Sequence, residues 1–203
     1  TPHLEVIVQL LLDYHTNPND AFSDGSTCLH KVCKLAKGGN LVKLLLKSGV
    51  NFTIMDKSNW LPLYIACCSG RIDIVKIILD AYDTSIYKHL KKNHVTTALH
   101  VICMQSMSPS IDIIKLLSDT GIDTETLVNG KTILQLLTQD DKTITDLNIR
   151  IEILKLLIEA KANIYIKHIT QEITILHYIV KNWFTKLDSV KVQEIIVLLK
   201  NYG

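Results

Sequence analysis

The chain has 203 residues and a formal net charge of +2 at pH 7, so its overall charge points to neither a nucleic acid nor a membrane surface. Hydrophobic residues make up 47% of the sequence, yet no apolar run approaches the roughly 20 residues of a membrane-spanning helix. The five cysteines are an odd number and two are adjacent. This pattern favours reduced thiols over a disulfide framework and predicts a cytoplasmic protein.

In chain order, the predicted elements repeat. The first is an amphipathic helix within "VQLLLDYHTNPN", and five units follow, each with a short helix, a tight link, a longer amphipathic helix and a polar loop. The short helices share a leucine at intervals of 34, 36, 35 and 42 residues: Leu29, Leu63, Leu99, Leu134 and Leu176. The predicted boundaries are a half unit at 1–21 and then units at 22–54, 55–91, 92–126, 127–168 and 169–203. One unit cannot bury its own apolar face, so we expect the units to stack into a solenoid.

The repeated residues resemble the ankyrin-repeat family, whose pattern runs roughly D-x-x-G-x-T-P-L-H-x-A-A and then V-x-x-L-L-x-x-G-A-D. Three stretches keep the first half of it: Gly25-x-Thr27-x-Leu29-His30, Thr97-x-Leu99-His100 and Thr174-x-Leu176-His177. The resemblance implies an all-α solenoid of stacked helix-turn-helix units with β-hairpin-like loops, forming a single array over 1–203. It also implies that Thr and His of each motif bond to each other and to neighbouring backbone. The fourth unit has Gln135 in place of the histidine, and the half unit has His15 at the glycine position.

The H-x-x-C spacing of His30 with Cys33 raises the question of a metal site or a thiol nucleophile. In the repeat register, however, Cys33, Cys67 and Cys103 occupy the same small position of each first helix. Equivalent residues of stacked repeats are separated by about 8–10 Å, whereas zinc needs every ligand within about 2.3 Å of the metal. We therefore expect core packing at this position. We predict no catalytic residue, no metal ion and no cofactor, and that the protein is not an enzyme.

The resemblance implies that a partner protein binds the concave surface, formed by loop tips and first-helix ends. The candidate tip residues are Asp24, Ser26, Lys57, Ser58, Trp60, Asn93, His94, Asn129 and Lys131. The candidate first-helix residues are Lys34, Cys68 and Met104. Trp60 has two open interpretations: an exposed binding contact or a cover for the neighbouring loop. The basic run "HLKKNH" at 89–94 is expected on a loop.

These observations lead to one main hypothesis, a non-catalytic protein–protein interaction scaffold. The composition and eroded repeats suit a host-targeting protein of a microbe or virus, and a eukaryotic signalling or ubiquitin-ligase adaptor is the open alternative. In either case we expect a monomer in the cytoplasm, which for a microbial or viral protein is that of the host. The alternative is a targeting arm of a larger enzyme or channel whose active part lies outside this sequence. We expect a segment of a larger protein, neither nucleic-acid binding nor membrane insertion, and a polar loop from the insertion at 138–150.

Overall fold

A computed structural model of the protein describes residues 2–86, 88–105, 109–121, 123–128, 130–138, 144, 146–165, 174–183 and 186–202. These ranges contain eleven α-helices, one short 3-10 helix and no β-strand, only two isolated β-bridges. The predicted all-α solenoid is therefore confirmed. The chain divides into two compact units, Thr1–Lys91 (unit 1) and Lys92–Gly203 (unit 2), which are described separately.

Unit 1 is built from helix pairs. Its elements are α1 (Pro2–Asp13), α2 (Cys28–Val32), α3 (Gly39–Lys47), α4 (Pro62–Cys68), α5 (Ile72–Thr84) and a 3-10 helix (Lys88–Leu90). Within the pairs, α2 packs against α3 and α4 against α5; between them, α3 lies against α1 and α5, and α2 lies against α4. The long helices α3 and α5 therefore each bury one apolar face against their neighbours, as the i, i+3, i+4 spacing predicts.

Unit 2 contains α6 (Lys91–Gln105, beginning at the last residue of unit 1), α7 (Ile111–Ser118), α8 (Ile133–Thr138), α9 (Leu147–Glu159), α10 (Ile175–Asn182) and α11 (Ser189–Tyr202). The central helix α9 packs against α7, α8 and α11, and α8 also packs against α10. The pairing of a short with a long helix recurs here in α8 and α9, and the first helix, α6, has 15 residues.

A left-handed residue ends several of the helices. Gly49 follows α3 at φ 78° and lets the N–H of Val50 bond the carbonyl of Leu45 at 3.2 Å, which satisfies a carbonyl left open by the last turn. The same conformation follows α1 and α9, where His15 and Lys161 have φ values of 61° and 63°. The assignment of His15 to the glycine position is therefore confirmed.

Equivalent repeat positions differ in burial. On α3, Leu41 and Leu45 are 2% and 3% exposed, whereas their counterparts on α1, Ile7 and Leu11, are 53% and 51% exposed. Apolar transfer free energy scales with the area removed from water. An apolar residue on α1 therefore contributes less to folding than its counterpart on α3.

A buried arginine anchors the insertion between α8 and α9. Arg150 is 5% exposed, and its guanidinium donates from Nε to the carbonyl of Ile144 at 2.6 Å and from Nη1 to that of Leu137 at 3.1 Å. A charged group this deeply buried requires such partners. The ends of the insertion at 138–150 are thus tied to the core, and most of its middle lies outside the described residues.

Candidate functional site

The first loop tip of unit 1 is fixed by a capping box at the start of α2. The backbone N–H of Thr27 donates to Nδ1 of His30 at 3.0 Å, and the Thr27 hydroxyl lies 2.9 Å from the same nitrogen. Because Nδ1 accepts from the backbone, the imidazole proton lies on Nε2. The predicted Thr27–His30 interaction is confirmed, and a second such pair is present at Thr174 and His177, where the hydroxyl lies 2.8 Å from Nδ1.

Two hydrogen bonds join this tip to the next one along unit 1. Nε2 of His30 donates to the carbonyl of Trp60 at 2.9 Å, and the N–H of Lys57 donates to the carbonyl of Asp24 at 3.1 Å. Gly25 permits the close approach, since a Cβ at this position would lie 2.8 Å from the Lys57 nitrogen. Its φ of 77° also favours glycine. The tips are therefore held in register by backbone contacts that leave side chains available to solvent.

The carboxylate of Asp24 is already occupied within its own tip. Lys31 donates to Oδ2 at 2.8 Å, and the backbone N–H of Ser26 donates to Oδ1 at 2.9 Å. The bond from Lys31, followed by those from Ser26, holds the pKa of Asp24 well below its usual range. Asp24 is thus ionised, and its carboxylate already has hydrogen-bond partners within the tip. The ion pair with Lys31 offsets part of its negative charge before any partner protein binds.

Unit 1 brings most of its sequence-predicted site residues to the surface. Lys34, Lys57 and Ser58 are exposed, while Trp60 and Cys68 are half-buried. The partial exposure of Trp60 is compatible with both interpretations, a binding contact and a cover for the neighbouring loop. The residues span two tips and the ends of two first helices, which is the placement expected for a recognition surface of this repeat.

One predicted tip residue of unit 1 is placed differently. Ser26 is only 4% exposed, and its hydroxyl donates to the carboxylate of Asp24. It supports the turn from inside. The expectation that Ser26 faces a partner is corrected, because a Ser two residues after an Asp forms a local side-chain turn.

The third repeat, at the start of unit 2, departs from the predicted loop. Residues 91–105 form the continuous helix α6, so the basic run at 89–94 is helical from Lys91 onwards, and Asn93 and His94 lie on a helix instead of a loop tip. The loop assignment for these residues is therefore wrong.

The predicted Thr97–His100 bond does not form either. The hydroxyl of Thr97 donates to the carbonyl of Asn93 at 2.9 Å, and Nδ1 of His100 donates to the carbonyl of Thr96 at 2.9 Å. Nε2 of His100 is buried and makes no well-aligned hydrogen bond among the described residues, although backbone groups of Thr126 and Lys131 lie close enough to favour the charged form. Burial lowers the pKa of His100 below its ordinary value, because the charged form is poorly solvated there.

The remaining predicted residues of unit 2 are only partly accessible. Met104 lies near the end of α6, and Lys131 forms an isolated β-bridge with Val128. Both residues are half-buried. Asn129 lies outside the described residues. These positions offer less side-chain surface than the tips of unit 1.

In the fourth repeat, which lies in unit 2, a glutamine takes the place of the motif histidine. The N–H of Thr132 donates to Oε1 of Gln135 at 3.0 Å, and the N–H of Gln135 donates to the Thr132 hydroxyl at 3.3 Å. The amide oxygen thus accepts the same backbone N–H that Nδ1 of His30 accepts in unit 1. The departure from the family pattern at this position preserves the helix start.

The cysteines occupy the core position that the register predicts. Cys33, Cys67 and Cys103 are at most 3% exposed. Burial raises the pKa of Cys33 to about 12 and that of the half-buried Cys68 to about 11. Thiols with such pKa values remain protonated near neutral pH and are poor nucleophiles and metal ligands.

Two exposed apolar residues near the tips were missed from the sequence. Phe22 and Met55 are 55% and 45% exposed, and each lies a few residues before a left-handed turn residue, Gly25 or Asn59. An apolar side chain among polar loop residues was the available signal, because no core position of the repeat falls there. Within the described part of the chain, no three His, Cys, Asp or Glu side chains are grouped to hold a metal ion, and no helix is long and apolar enough to cross a membrane.

Comparison with known proteins decides the family. Residues 3–89 match the family described as ankyrin repeats (3 copies). Over 80 residues, the chain is 31% identical to the Notch-regulated ankyrin repeat-containing proteins of Homo sapiens and Xenopus tropicalis, covering 39% of this chain and 68% of each relative. The chain belongs to the ankyrin-repeat family. In ankyrin-repeat proteins generally, these repeats are protein–protein interaction modules.

Solved structures of ankyrin-repeat domains share the fold. A domain from Acinetobacter baumannii superposes with a TM-score of 0.71 at 17% identity, covering all of this chain and 94% of that one. The ankyrin-repeat domain of Bcl-3, a member of the IkappaB protein family, gives a TM-score of 0.66 at 15% identity over 87% of this chain and 73% of that one. At such identities the similarity establishes the ankyrin fold alone.

Proposed function

We propose that this ankyrin-repeat chain is an interaction scaffold that binds a partner protein through its loop tips and first-helix ends. The observation that carries the proposal is the pair of hydrogen bonds joining the first two tips of unit 1, His30 to Trp60 and Lys57 to Asp24. A surface ordered before binding loses less conformational entropy when a partner docks. Exposed Lys57 and Ser58 and half-exposed Trp60 then form its accessible face.

The same role is proposed in unit 2 for Met104 and Lys131, which retain partial exposure. A cytoplasmic location is supported by the cysteines, all five of which are free thiols, as reducing compartments favour. Nothing in the thiol environments supports nucleophilic chemistry, since burial raises the pKa of four of the five thiols. A binding role without catalysis is therefore the function best supported by the surface.

Site-specific photo-crosslinking tests the proposal. A benzophenone amino acid is placed at Ser58 on a tip or at Lys76, an exposed residue of α5 that serves as control, and each protein is irradiated in an extract of the source cells. We expect discrete adducts from position 58, absent from position 76 and abolished by adding Lys57→Glu with Trp60→Ala. Circular dichroism verifies that the variants remain folded. Identical adducts at both positions, or adducts insensitive to the tip substitutions, would contradict the proposal.

A further inference from the structure

A basic and apolar strip runs along the first two tips of unit 1 and the C-terminal end of α2. It comprises Phe22, Lys31, Lys34, Lys57 and Trp60. Nζ of Lys31 lies 5.3 Å from the ring centroid of Phe22, within the range of a cation–π contact. The N–H of Lys34 bonds the carbonyl of Lys31 at 3.3 Å. Residues three apart in such a turn project to the same side, so Lys34 extends the strip along the helix.

The second tip continues this strip through Lys57. A Cβ on Gly25 would lie 3.1 Å from Cγ of Lys57, so the lysine stem passes directly over the turn of the first tip. Trp60 lies in the same turn as Lys57, which the N–H of Asp56 closes by donating to the carbonyl of Trp60 at 3.0 Å. The five residues therefore lie on two adjoining tips and at the end of α2, within unit 1.

The carboxylates of these tips are occupied by internal bonds. Asp24 is neutralised by Lys31. Oδ1 of Asp56 accepts the backbone N–H groups of Ser58 and Trp60 at 2.8 and 2.9 Å. Each tip acid thus stabilises its own turn and offers little capacity to bind a ligand cation.

Two lysines of the strip remain without a counter-charge. Lys34 and Lys57 are exposed, and neither has a carboxylate within ion-pair distance in the described part of the chain. The strip therefore carries three lysines, Lys31, Lys34 and Lys57, against the two tip carboxylates. This net positive charge lies beside the exposed ring of Phe22 and the partly exposed Trp60. Complementary charge favours encounter and fixes the register of a partner, while aromatic side chains supply the desolvated anchor.

We propose that this strip binds an acidic peptide segment of the partner protein, with partner carboxylates at Lys34 and Lys57 and an apolar partner side chain against Phe22 and Trp60. The proposal rests on the proposed scaffold function and specifies the partner chemistry of that surface. Nucleic acid fits poorly, because two free lysines fall short of the roughly six to ten phosphate contacts that support strong binding.

Peptide selection tests this assignment directly. A random 12-residue phage-displayed library is selected on the immobilised full chain, and enriched sequences are synthesised with fluorescein for anisotropy titrations. We expect enrichment of Asp and Glu beside an apolar residue. Lys34→Glu and Lys57→Glu should each weaken binding about five- to tenfold, whereas the control Lys76→Glu on α5 should not. Raising NaCl from about 50 to about 300 mM should also weaken binding, as screening requires.

The outcomes separate the two proposals. In one contrary outcome, selected peptides lose binding to Phe22→Ala and Trp60→Ala variants and yet lack enrichment in Asp and Glu. In another, they bind Lys34→Glu and Lys57→Glu as well as the unchanged chain. Either result would overturn the acidic-segment inference and leave the scaffold function standing. Peptides indifferent to every tip substitution would overturn both. A single-stranded oligonucleotide that competes as well as the acidic peptide at equal charge would overturn the assignment to a protein segment.

Discussion

The motif Thr-x-Leu-His has different structures in the first repeat, which lies in unit 1, and the third repeat, which lies in unit 2; the fifth repeat, also in unit 2, keeps the Thr–His contact of the first. In unit 1, Thr27 precedes α2 and its backbone N–H donates to the ring of His30. In unit 2, Thr97 lies inside α6, and His100 donates instead to the carbonyl of Thr96. The four residues therefore do not specify a helix start by themselves.

The difference originates two residues before the threonine. Gly25 occupies that position in unit 1 at φ 77°, and Asn59 and Gly130 take the same left-handed conformation in the second and fourth repeats. The third repeat has Val95 instead, and a β-branched residue strongly disfavours positive φ. Without a left-handed residue at this position, the chain of the third repeat continues as a helix. In the first four repeats, a separate short helix therefore begins only where this residue is left-handed.

The largest expected effect comes from Gly25→Ala, which removes the feature that separates the two regions. The new Cβ combines left-handed strain with a 2.8 Å approach to the Lys57 nitrogen, so we expect a loss of about 2–4 kcal/mol in the free energy of unfolding. The matched control is Gly49→Ala, where φ is 78° but nothing lies within 4 Å of the added atom; strain alone predicts about 1 kcal/mol. Urea denaturation measures both. Equal losses would show that contact between the tips contributes nothing.

The period and its phase made much of the fold predictable. Burial of the shared cysteines follows from their common repeat position. The left-handed conformation at His15 and the Thr27–His30 interaction follow from the resemblance to the ankyrin-repeat family. The third repeat was mispredicted because its motif was weighted above Val95, a local signal present in the sequence. Propensity at one turn residue overrode a resemblance spread over the whole unit.

Exposure within the tips was less accessible to sequence reasoning. Burial of Ser26 depends on a side-chain bond to Asp24, and exposure of Phe22 and Met55 depends on how neighbouring loops pack. These are tertiary consequences that one repeat pattern does not encode. The candidate strip was therefore only partly predictable: Lys34, Lys57 and Trp60 were selected from the sequence.

An intermediate effect is expected from the two histidines. His30→Ala removes bonds to Thr27 and Trp60 from a buried site, so we expect a loss of about 1–3 kcal/mol in the free energy of unfolding. His100→Ala removes one well-aligned hydrogen bond, to the carbonyl of Thr96, and a buried ring nitrogen whose hydrogen bonding is poor. Its loss of stability should therefore be about 1 kcal/mol smaller than that of His30→Ala. Chemical denaturation at pH 8, where both imidazoles are neutral in the unfolded chain, provides the comparison.

Glutamine provides the control for the histidine comparison. Since Gln135 accepts the N–H of Thr132 in the fourth repeat, His30→Gln should recover the capping bond and more than half of the stability lost in His30→Ala. A glutamine variant as unstable as the alanine variant would indicate that the bond to Trp60, and not the capping box, provides the stabilisation.

The smallest expected effects come from replacing one asparagine in a helix, Asn93, and one in a tip, Asn59, by alanine. Asn93 is exposed within α6, and Asn93→Ala should raise the free energy of unfolding by about 0.5 kcal/mol because alanine is the better helix former. Asn59 has φ 60°, which asparagine tolerates better than alanine, so Asn59→Ala should lower it by about 1 kcal/mol. Urea titration of both variants tests the opposite signs. Destabilisation by Asn93→Ala would mean that residue 93 occupies a turn, and that the third repeat forms a tip after all.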